Sequence, residues 1–174
     1  AGVAALIASV RSGGHTNARY FLWLLAALNL LPGAGYFLFS GIGGIGDWNA
    51  VISDLPNPIL LRVLMAVGGA LLYTGIVKVL IMAIWPYCLT RDEYNTVGRL
   101  PYYAACLFSC AAGLLDPMGL KLSLLSTIPA AFGGSSGLLW GDNLRPRVVI
   151  LEEALSVARA PGWWVAAVLL GGAY

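Results

Sequence analysis

The side chains that can do chemistry are few in this 174-residue chain, and their spacing limits what they can do. There is one histidine, His15, in the glycine-bearing stretch Arg11-Ser-Gly-Gly-His-Thr-Asn-Ala-Arg19. No His-x-x-x-His or His-Glu-x-x-His pair exists, so no helix face of this chain offers two imidazoles to a metal. Asp47 and Asp116 are isolated carboxylates. They read first as solvated helix-end groups and only second as metal ligands. Ser40, Ser109, Ser126 and Ser136 have no histidine in reach to take their proton. Cys88, Cys106 and Cys110 form no disulfide framework. Cys106 and Cys110 lie one helical turn apart and read as small packing residues. There is no phosphate loop and no haem attachment motif.

The elements that must position these residues are apolar. The chain is 59% hydrophobic and 10% charged, against about 25% charged in an average soluble domain. The expectation is an all-α, polytopic transmembrane helical bundle forming a single domain over residues 1–174. A net charge of +2 without a basic cluster argues against nucleic acid. The lipid bilayer is the expected partner, together with other membrane protein chains.

Leu28 to Asn49 is the stretch around which the rest is arranged. It is apolar, yet it is broken by Pro32, by several glycines, and by the polar Asn29, Ser40 and Asp47. Hydrocarbon cannot satisfy freed backbone groups or buried amides, so this stretch is expected to face other helices or a cavity. Pro32 is expected to kink its helix.

In chain order, Ala1–Val10 and Gly162–Tyr174 are each shorter than the roughly 20 residues a crossing needs. They read as truncated membrane segments. A second span runs from about Tyr20 to Gly44, with Tyr20 and Trp23 as interfacial aromatics. Asp47 to Pro58 reads as a loop. A long helix follows from Ile59 to about Trp85, with Gly68, Gly69 and Gly75 permitting close helix approach. Pro32, Gly33 and Gly35 are packing candidates on the second span. Residues 86–100 read as a polar loop with a Thr90–Glu93 capping box, at which a short surface turn of helix is expected. Pro101 is expected to open a short helix to Leu115, and Met118 to about Phe132 another, interrupted by Pro129. Val148 to Ala158 has apolar residues at helical spacing and reads as an amphipathic surface helix. Trp48, Trp85, Trp140, Trp163 and Trp164 read as interfacial aromatics. About six membrane segments result.

Lys and Arg counts in successive loops run two, none, two, one and three. The positive-inside rule then places loops 11–19, 86–100 and 141–161 in the cytoplasm. The expected location is the bacterial cytoplasmic membrane.

Two segments resemble each other. Pro32 leads through Gly33-Ala-Gly35 and Ser40-Gly41 to Gly46-Asp47, and Pro129 leads through Gly133-Gly134 and Ser136-Gly137 to Gly141-Asp142. Such paired interruptions occur at transporter sites, although the spacings here differ by two residues.

Asn29-Leu-Leu-Pro32, followed by Gly-x-Gly-Tyr-x-x-x-Ser-Gly and Gly46-Asp47-Trp48, resembles the distal half of site-2-protease-type zinc metallopeptidases. The resemblance covers about thirty residues. In that family an early helix carries His-Glu-x-x-His, and a later one carries Asn-x-x-Pro and an Asp that completes the metal site. It implies Asn29 and Asp47 as catalytic candidates and Asp47 as the candidate metal ligand. Asp47 lies further along than the usual Asp-Gly. The His-Glu-x-x-His helix is absent and would have to precede Ala1. Zinc is therefore expected only with that upstream segment, and this chain holds no complete active site.

Three functions follow in order. The first is a non-catalytic structural or accessory subunit of a larger membrane assembly. The second is an intramembrane zinc metallopeptidase. The third is a small-solute transporter.

Overall fold

The computed structural model describes residues 1–12, 16–88, 90–114, 129–141 and 143–144. Helices and turns account for these residues, and no strand occurs among them. The helices are α1 (Gly2–Arg11), α2 (Thr16–Gly43), α3 (Asp47–Ser53), α4 (Pro58–Ile84), α5 (Arg91–Tyr94) and α6 (Leu100–Leu114). A 3-10 turn, Trp85–Tyr87, extends α4, and a π turn, Asn95–Arg99, joins α5 to α6. Pro129–Gly134 forms another π turn and Ser136–Trp140 a 3-10 turn.

Among the described residues two stretches, Asn17–Gly43 and Pro58–Tyr87, are long and apolar enough to cross a membrane. Six such segments were expected. Helix α1 has ten residues and α6 fifteen, both short of that length. The segments expected over 118–128, 148–158 and 162–174 lie outside the described residues, as does His15.

Helices α2 and α4 pack antiparallel and form the spine. Leu38 meets Gly69, Gly35 meets Tyr73, and the Trp23 indole donates to the Leu80 carbonyl at 2.9 Å. Small residues let the two backbones meet. A Cβ added at Gly69 would lie 2.7 Å from the Leu38 Cα, and one at Gly41 would lie 2.6 Å from the Ala66 amide nitrogen. Helix α1 runs back along α2, with the Ser9 hydroxyl donating to the Arg19 carbonyl at 2.9 Å and Gly2 set against Asn29 and Leu30.

The structure departs from expectation in three places, each for a local reason. Asp47–Ser53 is helix rather than loop. Asp47 complements the positive end of that helix, and the Asp47 N–H is taken by the Tyr36 hydroxyl at 2.9 Å. The chain then turns through Asn57, which adopts the left-handed conformation (φ 60°) that Asn tolerates better than most residues. Pro58 supplies the first helical position of α4.

The second departure is the extent of helix before Pro101: α6 starts at Leu100, within one residue of expectation, but helical turns run from Arg91 through Arg99 into it. The capping box holds as expected. The Thr90 N–H donates to Glu93 Oε2 and the Glu93 N–H to Thr90 Oγ1, both at 3.2 Å. Pro101 has no N–H to give the turn before it. The Val97 carbonyl instead accepts the Tyr20 hydroxyl at 2.9 Å, so helix continues where a proline should have broken it.

The third departure concerns the aromatics. Trp23 and Trp85 were expected at an interface, but each is 1% exposed. The Trp85 indole donates to the Gly141 carbonyl at 3.2 Å, and its ring stacks on Tyr94 with centroids 5.0 Å apart. An indole can be fully buried once its single N–H has an acceptor. Both tryptophans found backbone carbonyls and became core.

Candidate functional site

The polar features of the interior collect where the two proline- and glycine-interrupted segments meet. A Cβ at Gly134 would sit 3.1 Å from the Pro32 Cα, and one at Gly35 would sit 3.1 Å from the Gly134 Cα. The described backbones of the two segments are therefore in contact, with no channel between them at this point. Leu31 and Ala34 are buried against this junction, while Gly33 on the other face of α2 has open space around it. The shelter expected for the Leu28–Asn49 stretch thus covers one face. Asn29, Gly33 and Tyr36 are exposed on the other.

Tyr73 of α4 ties the junction together. Its hydroxyl lies 2.9 Å from the Gly134 carbonyl, 3.2 Å from the Gly133 carbonyl and 3.1 Å from the Ser136 hydroxyl. It accepts the Gly137 N–H at 2.7 Å. A phenol has one proton to donate and lone pairs to accept with. It can therefore serve a carbonyl and an amide that the irregular turn leaves without helical partners. Tyr73 was not singled out in the sequence. A tyrosine among the apolar residues of α4 reads as core, and only its opposition to Gly133–Gly137 gives it this role.

The sequence candidates are placed apart from one another. Asn29 is exposed in the middle of α2, and its amide donates to the Leu25 carbonyl one turn back at 2.7 Å. Asp47 is exposed at the start of α3, where its carboxylate lies 3.3 Å from the Tyr36 hydroxyl. Asp47 folds back against Tyr36, two turns along α2 from Asn29 and about 10 Å of helix rise away. Asn29 bonds its own helix and Asp47 bonds Tyr36, and no bond joins the two candidates. Among the described residues no three His, Cys, Asp or Glu side chains group as metal ligands.

Of the packing candidates, Gly35 and Gly69 sit at backbone contacts, while Gly68 and Gly75 have open space beside them. Gly41 makes the tightest α2–α4 approach and was not among the packing candidates. Its signal was the Ser40-Gly41 pair, which reads equally well as a repeat element.

Ser40 is wholly buried, and its hydroxyl has no hydrogen-bond partner. Nearby, the Arg62 guanidinium donates to the carbonyls of Gly41 (3.4 Å) and Ile42 (3.1 Å), closing the C-terminal end of α2. A cation at a helix C-terminus meets both the orphan carbonyls and the negative end of the dipole.

The opposite end of the spine is closed by aromatic side chains. Tyr94 donates to the Leu138 carbonyl at 2.9 Å while it stacks on Trp85. The Arg19 guanidinium lies over the Tyr87 ring, 4.6 Å from its centroid, and also bonds the Tyr87 hydroxyl. Cys88 is buried beside them, and burial followed by the nearby Glu93 carboxylate pushes its thiol up to about 11. A thiol held protonated in this way is a poor nucleophile and a poor metal ligand at neutral pH.

The described geometry is that of a packed helical unit with an apolar outer face. No family model matches the chain, and no curated protein or solved structure does either.

Proposed function

We propose that this chain is a lipid-embedded, non-catalytic subunit that packs against other chains in a membrane assembly. The observation that carries this reading is the outer face of α4. Ile59, Leu60, Val63, Leu64, Val67, Leu71, Leu72, Val79 and Met82 are all at least half exposed along its full length. Water penalises such a stripe at about 25 cal/mol per Å2 of apolar surface, whereas acyl chains accept it. Tyr73 and Arg62 are turned inward, onto the glycine turn and the end of α2, while Lys78 is exposed on α4 about two turns before Trp85, where its long side chain can carry the ammonium towards the interface.

Asn29 supports a protein neighbour. It is an amide on the exposed face of α2 between Leu28 and Leu30, with only one bond, to its own helix. A polar group at that depth is costly in lipid and is commonly met by another helix. The test is light scattering of the protein purified from its native membrane in mild detergent. The reading requires a particle heavier than one chain, and a size that falls when Asn29→Leu is introduced. A monodisperse single chain in both cases refutes it.

The zinc peptidase is the second reading, and one contact favours it. Gly2 packs against Asn29 and Leu30, so a helix leading into α1 would bring its side chains beside Asn29. Such a helix would have to carry the His-Glu-x-x-His pair, with Asp47 as a further ligand. Elemental analysis of the full-length protein tests this. Zinc at one equivalent, lost on Asp47→Ala, favours the peptidase, and its absence removes it.

A further inference from the structure

We infer that the turn from Ile45 to Leu55, which contains α3, is an interfacial anchor that seats its apolar side chains in the headgroup–acyl boundary of a bilayer. This rests on the membrane reading above and adds a contact surface to it. The turn joins the paired ends of α2 and α4, the two stretches long enough to cross a membrane.

Its side chains are sorted by face. At 100° per residue, Trp48, Val51 and Ile52 fall within one arc of the helix, with Asp47 just beyond its Val51 edge and Asn49 and Ser53 beyond the other. Ile52, on the inner side of that arc, is buried. Val51, on the outer side, is 61% exposed, and Ile45, Trp48 and Leu55 are 46–48% exposed. Asp47, Ser53, Asp54 and Asn57 are exposed around them.

The occupant argued for is lipid because the exposed side chains run on into the apolar stripe of α4, starting at Ile59 and Leu60. Trp48 also has the character of a boundary residue. Its ring packs edge-on against Phe37, with centroids 5.6 Å apart, while the rest of it is open. An amphipathic ring so placed is favoured at headgroup level. The turn is held in this pose by the two bonds between Tyr36 and Asp47.

Charge defines the kind of contact. Asp47 and Asp54 are the charges on the turn, and Arg62, the cation packed against its start among the described residues, is spent on the α2 carbonyls. Attraction to anionic lipid therefore contributes nothing, and seating rests on apolar burial alone.

The experiment is spin-label accessibility in phosphatidylcholine vesicles, with labels at Val51→Cys, Ser53→Cys and Leu71→Cys and the unsubstituted protein measured alongside. Leu71 lies on the α4 stripe and reports the membrane reading by itself. The expected result is more collision with oxygen than with a water-soluble nickel complex at 51 and 71, and the reverse at 53. The same result is expected when phosphatidylglycerol is added. A label at 51 in water with 71 in lipid overturns the anchor alone. Both labels in water overturn the anchor and the membrane reading together. A label at 51 immobilised in proportion to protein concentration assigns the face to a second protein copy and overturns the lipid assignment.

Discussion

Replacing Tyr73 by Phe removes one oxygen and leaves the ring, so the loss is confined to the polar tie between α4 and the Pro129–Trp140 turns. Two buried backbone groups depend most closely on that oxygen: the Gly137 N–H at 2.7 Å and the Gly134 carbonyl at 2.9 Å. A buried donor or acceptor left without a partner costs about 1–3 kcal/mol. The Ser136 hydroxyl already donates to the Gly133 carbonyl at 2.8 Å, and a small shift would let it relieve part of the loss. The expected destabilisation is about 2–4 kcal/mol, below the full sum for two orphaned groups. Reversible unfolding in mixed detergent micelles measures the total. Amide exchange at Gly137 measures the local part and should accelerate by at least about tenfold, the equivalent of 1.4 kcal/mol. Unchanged exchange at Gly137, or a stability change under about 0.5 kcal/mol, would refute the role given to Tyr73.

Other substitutions separate contact from open space. Gly41→Ala places a methyl group against the Ala66 backbone and should cost about 1–3 kcal/mol in the same unfolding assay. Gly75→Ala meets nothing and should be neutral or stabilising by up to about 1 kcal/mol. Thr90→Ala breaks the capping box and should lower stability by about 1 kcal/mol, with enhanced exchange confined to the first turn of α5. Cys88 should resist iodoacetamide at neutral pH in the folded protein and react on unfolding, as mass spectrometry of the alkylated peptides would show. Its thiol rises from 9.0 to about 11 on folding, so the unfolded chain loses this proton first as pH climbs. The associated stability is complete below pH 9 and declines as pH approaches 11.

The apolar character and the two long helices were legible because composition and length report them directly. The capping box was legible because its two bonds lie within four residues. What could not be read depends on which residues meet across the fold. Trp23 and Trp85 have the sequence neighbourhood of boundary tryptophans, and only the carbonyls of Leu80 and Gly141 make them core. Pro101 reads as a helix start, and α6 does begin at Leu100, but the helical turns leading into it go with the Tyr20 bond to the Val97 carbonyl, which the sequence does not show. Likewise, the likeness between the Pro32 and Pro129 segments is visible in the sequence, but the contact between Pro32 and Gly134 is not.

The proposed function has acyl chains, together with partner chains, covering the exposed apolar stripe of α4. Washing expressing membranes with alkaline carbonate and sedimenting them, followed by dilution of the purified protein below the detergent micelle threshold, tests this most directly. The account requires the chain to stay in the membrane pellet and to aggregate without detergent. Release into the carbonate supernatant as a monodisperse, helical protein that stays soluble in plain buffer would contradict it.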